Sequence, residues 1–462
     1  MRFLATILIG LVILGCQSPA KIKTMVTDYG DTFKGPGKLG FIQVATSSHE
    51  TFINVMAPRN REYKFAIEQN GQAVGKVEVL GKTTPSPLHW QVINLRISEL
   101  NPGTQYRLLA QLANNNEVVD SRLFSTFKDK WERPLRFALG SCMSEDFSFK
   151  HIQDKIWDHM LAQNPDFIVL NGDVVYVDSY DFVPRDKATE TDIWQRYLHS
   201  IEVIPLFHRE KLVPILATWD DHDYGTNDSD KTFAGKGFAR QAFQAFFGSP
   251  DIANVHENGK GGVYKLFQVA GQRFFLLDNR YFREARGSKN AFAHWGREQH
   301  SWLINHLKAN DRPAWLINGG QFFAPAILID GRDGKKRQIN ETFMADHPVH
   351  FRQLMNDLKS VKAPVLFASG DIHFSELLEI EANQIGYKTF ELTSSPLHSY
   401  IFRNKPGEPE LWDNPRRIAG AKDHNYLLIE TQLGAEGWVN HVQSLGMKQN
   451  KALFSKKLVV NR

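Results

Sequence analysis

Four times in this chain a short apolar run stops at a cluster of acidic, thiol or imidazole side chains. Leu135-Arg136-Phe137-Ala138-Leu139 runs into Gly140-Ser141-Cys142, and Phe167-Ile168-Val169-Leu170 into Asn171-Gly172-Asp173-Val174-Val175-Tyr176. Leu212-Val213-Pro214-Ile215-Leu216 leads to Trp219-Asp220-Asp221-His222-Asp223, and Val365-Leu366-Phe367-Ala368 to Ser369-Gly370-Asp371-Ile372-His373. Runs of that length and composition read as buried strands. A carboxylate just past a buried strand is costly unless it is paired, solvated or bound to a cation. One such Asp is ordinarily a helix cap or turn former. Four clusters with two imidazoles and a thiol among them point instead to metal binding. Helical patterns over 149–162 and 297–308 lie between the runs. Strands alternating with helices predict an α/β layered domain, and such domains bind ligands at the carboxyl ends of their strands.

The region before these runs has another character. From about Gly40 to Phe127 short alternating segments, such as Phe41-Ile42-Gln43-Val44 and Tyr106-Arg107-Leu108-Leu109-Ala110, are separated by Asn70-Gly71 and Pro102-Gly103. Their spacing predicts a small all-β sandwich of seven strands over 38–128. Within it, Leu100-Asn101-Pro102-Gly103-Thr104-Gln105-Tyr106 resembles the fibronectin type III signature, in which the tyrosine makes a corner hydrogen bond.

The first twenty residues read as a secretory signal. Met1-Arg2 precedes an apolar run from Phe3 to Leu14, too short to span a bilayer, and Gly15-Cys16-Gln17 follows. Ile13-Leu14-Gly15-Cys16 resembles a bacterial lipobox, which implies lipidation of Cys16, attachment to the membrane and a periplasmic or cell-surface location. Gln17 after the cysteine suits outer-membrane sorting. Residues 21–37 form a polar tether. Cys142 is the other of two cysteines, so the mature chain has no internal disulfide to form. A net charge of +4 with 55 basic and 51 acidic side chains, and no dense Lys/Arg tract, argues against nucleic-acid binding.

Taken in order, the strand-end motifs resemble the blocks of the calcineurin-like metallophosphoesterase superfamily, and specifically its PhoD-type alkaline phosphatases. Gly172-Asp173 matches one block and extends through Tyr176 to GDxxY. Asp220-Asp221-His222-Asp223 stands where GNH is usual, and Gly370-Asp371-Ile372-His373 where GHxH is usual. Both departures, and Gly-Ser-Cys after the first strand, occur in the PhoD type. The likeness covers roughly 131–435, plus the sandwich in front, which leaves 129–462 as the phosphatase domain.

The resemblance implies an α/β fold, a four-layer metallophosphoesterase-type β-sandwich flanked by helices, with the fibronectin III-like domain preceding it. It implies one metal site from Cys142, Asp173, Tyr176 and His373, where thiolate and phenolate favour ferric iron. It implies a second from Asp173, Asp221 and Asp371, with Gln321 as a further candidate, where oxygen ligands favour Ca²⁺, or else Mg²⁺ or Mn²⁺. His222 becomes the proton donor to the leaving group. Arg280, in Asp278-Asn279-Arg280-Tyr281-Phe282-Arg283, becomes a bidentate phosphate contact, and Asp220 a further substrate-binding residue. Asp223 either orients His222 or accepts a backbone donor. His294, His300, His347 and His350 carry no sign of ligation, His398 could line the pocket, and Lys335-Lys336-Arg337 reads as a solvated loop.

The function expected is hydrolysis of phosphate monoesters or diesters by a monomeric lipoprotein. A phospholipase C-like or teichoic-acid-type phosphodiesterase is one rival, and a non-catalytic binding lipoprotein another.

Overall fold

The computed structural model describes residues 39–86, 88–178, 189–252, 254–257, 261–330, 335–338, 340–402, 412–447 and 451–462. The signal, Cys16 and the 21–37 tether expected from the sequence lie outside the described residues.

Residues 40–125 form two four-stranded antiparallel sheets packed face to face. There are eight strands rather than seven, because the Asn70-Gly71 turn lets Gln72–Ala73 pair back as a two-residue strand. Phe41, Ile53, Val55, Ile93, Leu95, Leu108 and Phe124 fill the space between the sheets. The tyrosine corner is present: the backbone N–H of Asn101 donates to the Tyr106 hydroxyl at 2.7 Å.

Three of the four strands of one sheet of this sandwich are buried on both faces. Thr51–Pro58 sends Ile53, Val55 and Ala57 inward, while the alternate residues Phe52 and Met56 join the core of the following domain. Trp90–Ser98 divides likewise, with Trp90 and Val92 facing that domain. Side chains alternate across a strand, so a strand buried on both faces reads as a continuous apolar run. Polar contacts reinforce the junction. Asn54 Nδ2 donates to the carbonyls of Phe246 and Gly248 at 2.8 and 3.0 Å, and Asn94 Nδ2 donates to that of Ala245 at 3.1 Å. The two domains share a core.

The larger domain contains a six-stranded and an eight-stranded sheet. In the first, Leu135–Gly140, Phe167–Asn171 and Ile215–Thr218 run parallel, and Asn425–Gly434 joins them antiparallel. In the second, Gln272–Leu276, Ala314–Ile317, Val365–Ser369 and Thr389–Thr393 run parallel. Aromatic side chains lock the sheets together: Phe137 from one meets Phe274 and Trp315 from the other at 5.4 and 5.2 Å, and Trp438 meets Trp315 at 5.2 Å. Among the described residues five helices of 12 to 14 residues flank the sheets. Lys150–Ala162 shows why they dock: Ile152, Ile156, Trp157 and Met160 make one apolar stripe. The architecture is the layered α/β fold with an all-β domain in front. Lys336 and Arg337 are exposed as expected, but on the strand Lys336–Gln338 of a small hairpin rather than in a loop.

Candidate active site

Parallel pairing within the six-stranded sheet gathers the first three motifs at one edge, and the packing of the two sheets brings the fourth to them. The first turn holds Cys142 with φ 56°, the second Asp173 with φ 52°, and the fourth Asp371 with φ 70° and His373 with φ 57°. Left-handed backbone is disfavoured for residues with a Cβ and concentrates at functional sites. Four of the expected ligands therefore stand in strained turns that aim side chains back over the sheet. Gly172, at φ 101°, permits this: a Cβ there would come within 2.7 Å of Asp220 Cβ.

The side chains converge. Ligand atoms of Cys142, Asp173 and His373 lie within 4.8 Å of one another, as do those of Asp173, Asp221 and His222, and those of Asp220, Asp221 and Asp371. Asp173 and Asp221 each belong to more than one group. Cys142 Sγ is 3.3 Å from Asp173 Oδ2. Tyr176 stacks on the His222 ring at 4.4 Å and donates its hydroxyl to Ser399 Oγ at 3.3 Å.

The donor set fits cations. Asp173 Oδ1, Asp220 Oδ2 and Asp221 Oδ1 are buried and accept no hydrogen bond. Burial pushes the Asp173 and Asp371 carboxyls well above the ordinary range, and neighbouring carboxylates push them further. Burial and Asp173 do the same to the Cys142 thiol, and burial, Cys142 and Asp173 to the Tyr176 phenol. So many anionic groups cannot all remain charged side by side without positive charge among them.

Both histidines are set by an acceptor behind them. His373 Nδ1 lies 2.6 Å from the Tyr400 carbonyl, and His222 Nδ1 2.6 Å from Asp178 Oδ1. Neither oxygen carries a proton to give, so each Nδ1 donates and each Nε2 is left for the site. Burial opposes the charged form of His222, but Asp221, Asp178 and Asp173 outweigh it and hold its pKa well above the ordinary value.

Other expected residues are placed differently. Arg280 and Asp220 were expected at the phosphate. Instead the fully buried Arg280 guanidinium pairs with Asp220 and Glu341 and lies 3.6 Å from Asp221. Its burial among three carboxylates leaves it bracing the site from behind. Asp220 Oδ1 also accepts from Asn279 Nδ2 at 2.7 Å. Gln321 gives its amide to Glu376 at 2.7 Å and Thr393 at 3.1 Å, so its Nε2 is tied into strand-end packing. Asp223 takes backbone N–H groups of Val174, Val175 and Asp220 at 2.8 to 2.9 Å, leaving His222 to Asp178. Asp278 is likewise structural, accepting N–H groups of Arg280 and Tyr281. His398 is buried, between the Ser144 carbonyl and the Trp157 indole. The four remaining histidines pair with one another in the interior, His294 with His347 and His300 with His350.

Sequence reasoning missed Asp178, Asp228 and Glu341. The last two form a further acidic group with Asp221. Asp178 follows Asp173 by five residues, a spacing that could have drawn attention. Glu341 follows no apolar strand of its own and has no such signal.

Two packed sheets whose parallel strands deliver buried carboxylates, a thiol and two imidazoles to one edge define a layered α/β enzyme class with a centre suited to cations. The chain belongs to the PhoD-like phosphatase family, whose profile matches residues 137–435, and it is a phosphoric ester hydrolase. A solved structure titled "Structure of PhoD" is similar to it with TM-score 0.64 and 17% identity over 92% of each chain, so the likeness of fold extends over the sandwich as well. Partial likenesses to astrotactin-2 (TM-score 0.17, 11% identity, 27% of this chain and 25% of that) and to an amylomaltase from Corynebacterium glutamicum (TM-score 0.17, 16% identity, 33% and 23%) carry no argument. No curated protein sequence matches the chain.

Proposed function

We propose that this protein is an exported, metal-dependent phosphatase that hydrolyses phosphate monoesters and diesters at alkaline pH. The observation that supports it most is the shared position of Asp173, which contributes to the Cys142–His373 group and to the Asp221–His222 group at once. A carboxylate so placed suits a bridge between two cations. Cys142, Asp173, Tyr176 and His373 would hold ferric iron. Asp173, Asp221 and Asp371 would hold a hard cation such as Ca²⁺, with Mg²⁺ or Mn²⁺ as the alternatives. When bound, the metals would supply electrophilic stabilisation of the phosphoryl charge and a nucleophile at the working pH.

The chain's own part is proton delivery and alignment. With Nδ1 fixed by Asp178, the His222 ring presents Nε2–H on the side of Asp173 and Asp221, where it donates to the departing alkoxide oxygen. Asp223 ties the Asp173 turn to the Asp220 turn through three backbone N–H groups, so the two clusters keep their spacing. Arg280 keeps Asp220, Asp221 and Glu341 from repelling one another.

Elemental analysis and turnover of p-nitrophenyl phosphate and its bis ester test the reading together. Iron with calcium in the protein, and activity lost to chelation, are expected. Thiolate and phenolate on ferric iron give a visible absorption band, which should weaken in Cys142→Ser and Tyr176→Phe. A metal-free preparation with full turnover would overturn the metal assignment.

Export rests on the signal and the Cys16 lipobox. Among the described residues no helix is long and apolar enough to cross a membrane. Incorporation of labelled palmitate, abolished in Cys16→Ser, tests the anchor.

A further inference from the structure

Beside His373 stands a set of aromatic rings that the chemistry above does not use. Tyr400 lies 4.4 Å from the His373 ring and is 54% exposed, a high value for so large an apolar face. Phe402 lies 5.1 Å from His373 and 5.5 Å from Tyr400. Trp412 lies 5.5 Å from Phe402 and 6.0 Å from Phe374, which is buried beneath. Phe402 and Trp412 are themselves only half-buried.

The wall is tied to the site through its backbone. The Tyr400 carbonyl takes the His373 Nδ1 proton at 2.6 Å, so the backbone carrying the rings also orients the candidate ligand. Arg417 packs over Phe374 at 5.6 Å, pairs with Glu376 at 2.7 Å and donates to the Trp412 carbonyl.

The shape of the wall favours one kind of occupant. Tyr400 and Phe402 meet at 86°, and Phe402 and Trp412 at 73°. These edge-to-face pairs hold the three rings against one another and leave the Tyr400 ring, the most exposed of them, open to a further planar ring. The wall's own side chains carry no charge to recognise a second phosphate.

We propose, building on the phosphatase reading, that Tyr400, Phe402 and Trp412 form a leaving-group subsite that stacks a planar aromatic group. Phosphate esters of nucleosides or aryl alcohols are then the preferred substrate class, with the phosphate at the Asp173 cluster and the ring against Tyr400.

Adenosine 5′-monophosphate and ribose 5-phosphate share the same primary alkoxide leaving group and differ by the base alone. With the full-length, metal-replete enzyme, kcat/KM for the nucleotide should exceed that for the sugar phosphate by ~10-fold or more, chiefly through KM, the range of one stacked base. Trp412→Ala and Tyr400→Leu should each bring the ratio towards one. Tyr400 is exposed, so its variant keeps the test available where the Trp412 variant fails to fold. Calorimetric binding of adenosine monophosphate, weakened by Tyr400→Leu, reads the same subsite without turnover. Equal kcat/KM for the two substrates would overturn the subsite. So would an equal or greater preference for n-octyl phosphate, which marks a greasy wall rather than a stacking one. Failure to turn over p-nitrophenyl phosphate as well would count against the phosphatase reading itself, and the binding comparison would still decide the subsite.

Discussion

Asp178 Oδ1 lies 2.6 Å from Nδ1 of His222, while its Oδ2 accepts the backbone N–H of Asn227 at 2.9 Å. The carboxylate is thus fixed by the loop that follows the short helix Asp221–Tyr224, and it in turn fixes the ring. Tyr176 closes the other side by stacking at 4.4 Å. His222 has its ring orientation settled before any substrate arrives.

Asp178 is accordingly a positioning residue. Asp178→Ala should lower kcat by about 10- to 100-fold, the usual effect of losing such a support, with little change in KM. Asp178→Asn, which still offers an acceptor, should recover part of the loss. Alkyl phosphates, which need a proton on the leaving oxygen, should suffer more than p-nitrophenyl phosphate. A uniform loss across leaving groups would show that Asp178 acts through folding instead.

Asp173→Asn should abolish turnover by at least ~10³-fold, since one carboxylate serves two ligand groups. Metal content should fall together with activity. A folded variant with near-native activity would sink the shared-ligand assignment.

Gly319 lies against the acidic cluster in a way that excludes any side chain. A Cβ there would sit 2.6 Å from Asp220 Cγ and 2.7 Å from its Cβ. Asp220 has no freedom to yield, because Arg280 and Asn279 grip it. Gly319→Ala should therefore cost activity on the order of 10²-fold, as a displacement of about 1 Å at a reacting centre does. Gly237→Ala is the control: it meets nothing within 4 Å in the helix Lys236–Phe247. That change should stabilise by up to ~1 kcal/mol and leave kinetics alone.

The junction of the two domains has its own test. Asn54→Ala leaves the Phe246 and Gly248 carbonyls at the end of the Lys236–Phe247 helix without their buried donor. A loss of about 1–3 kcal/mol is expected, the cost of an unsatisfied buried group. Denaturant unfolding should show it as a lower midpoint at unchanged slope. An unmoved midpoint would mean that the sandwich and the larger domain are not energetically joined.

The strand ends at Cys142, Asp173, Asp221 and Asp371 could be read directly from the sequence. Each is a local event: a continuous apolar run sets a buried strand, and a polar residue straight after it must lie at the strand's end. The same locality made the Tyr106 corner legible, since donor and acceptor are five residues apart. That the ends at Cys142, Asp173 and Asp221 share one edge follows from parallel pairing, whereas Asp371 comes from the other sheet and joins them only through the packing of the two sheets.

Partners distant along the chain were decided by the tertiary structure alone. Arg280 reads as a free cation at a strand end until Asp220, 60 residues before it, and Glu341, 61 residues after it, are folded against it. Glu341 follows no strand and gives no local sign of its place. Thr51–Pro58 and Trp90–Ser98 show the same limit on a larger scale. Their period-two pattern shows that a strand has two faces, and their apolar content shows that both are buried. Which face meets its own sandwich and which meets the next domain depends on packing against the helix Lys236–Phe247, more than a hundred residues away. A residue's local pattern fixes the direction of its side chain, whereas its partner is fixed by long-range closure of the chain.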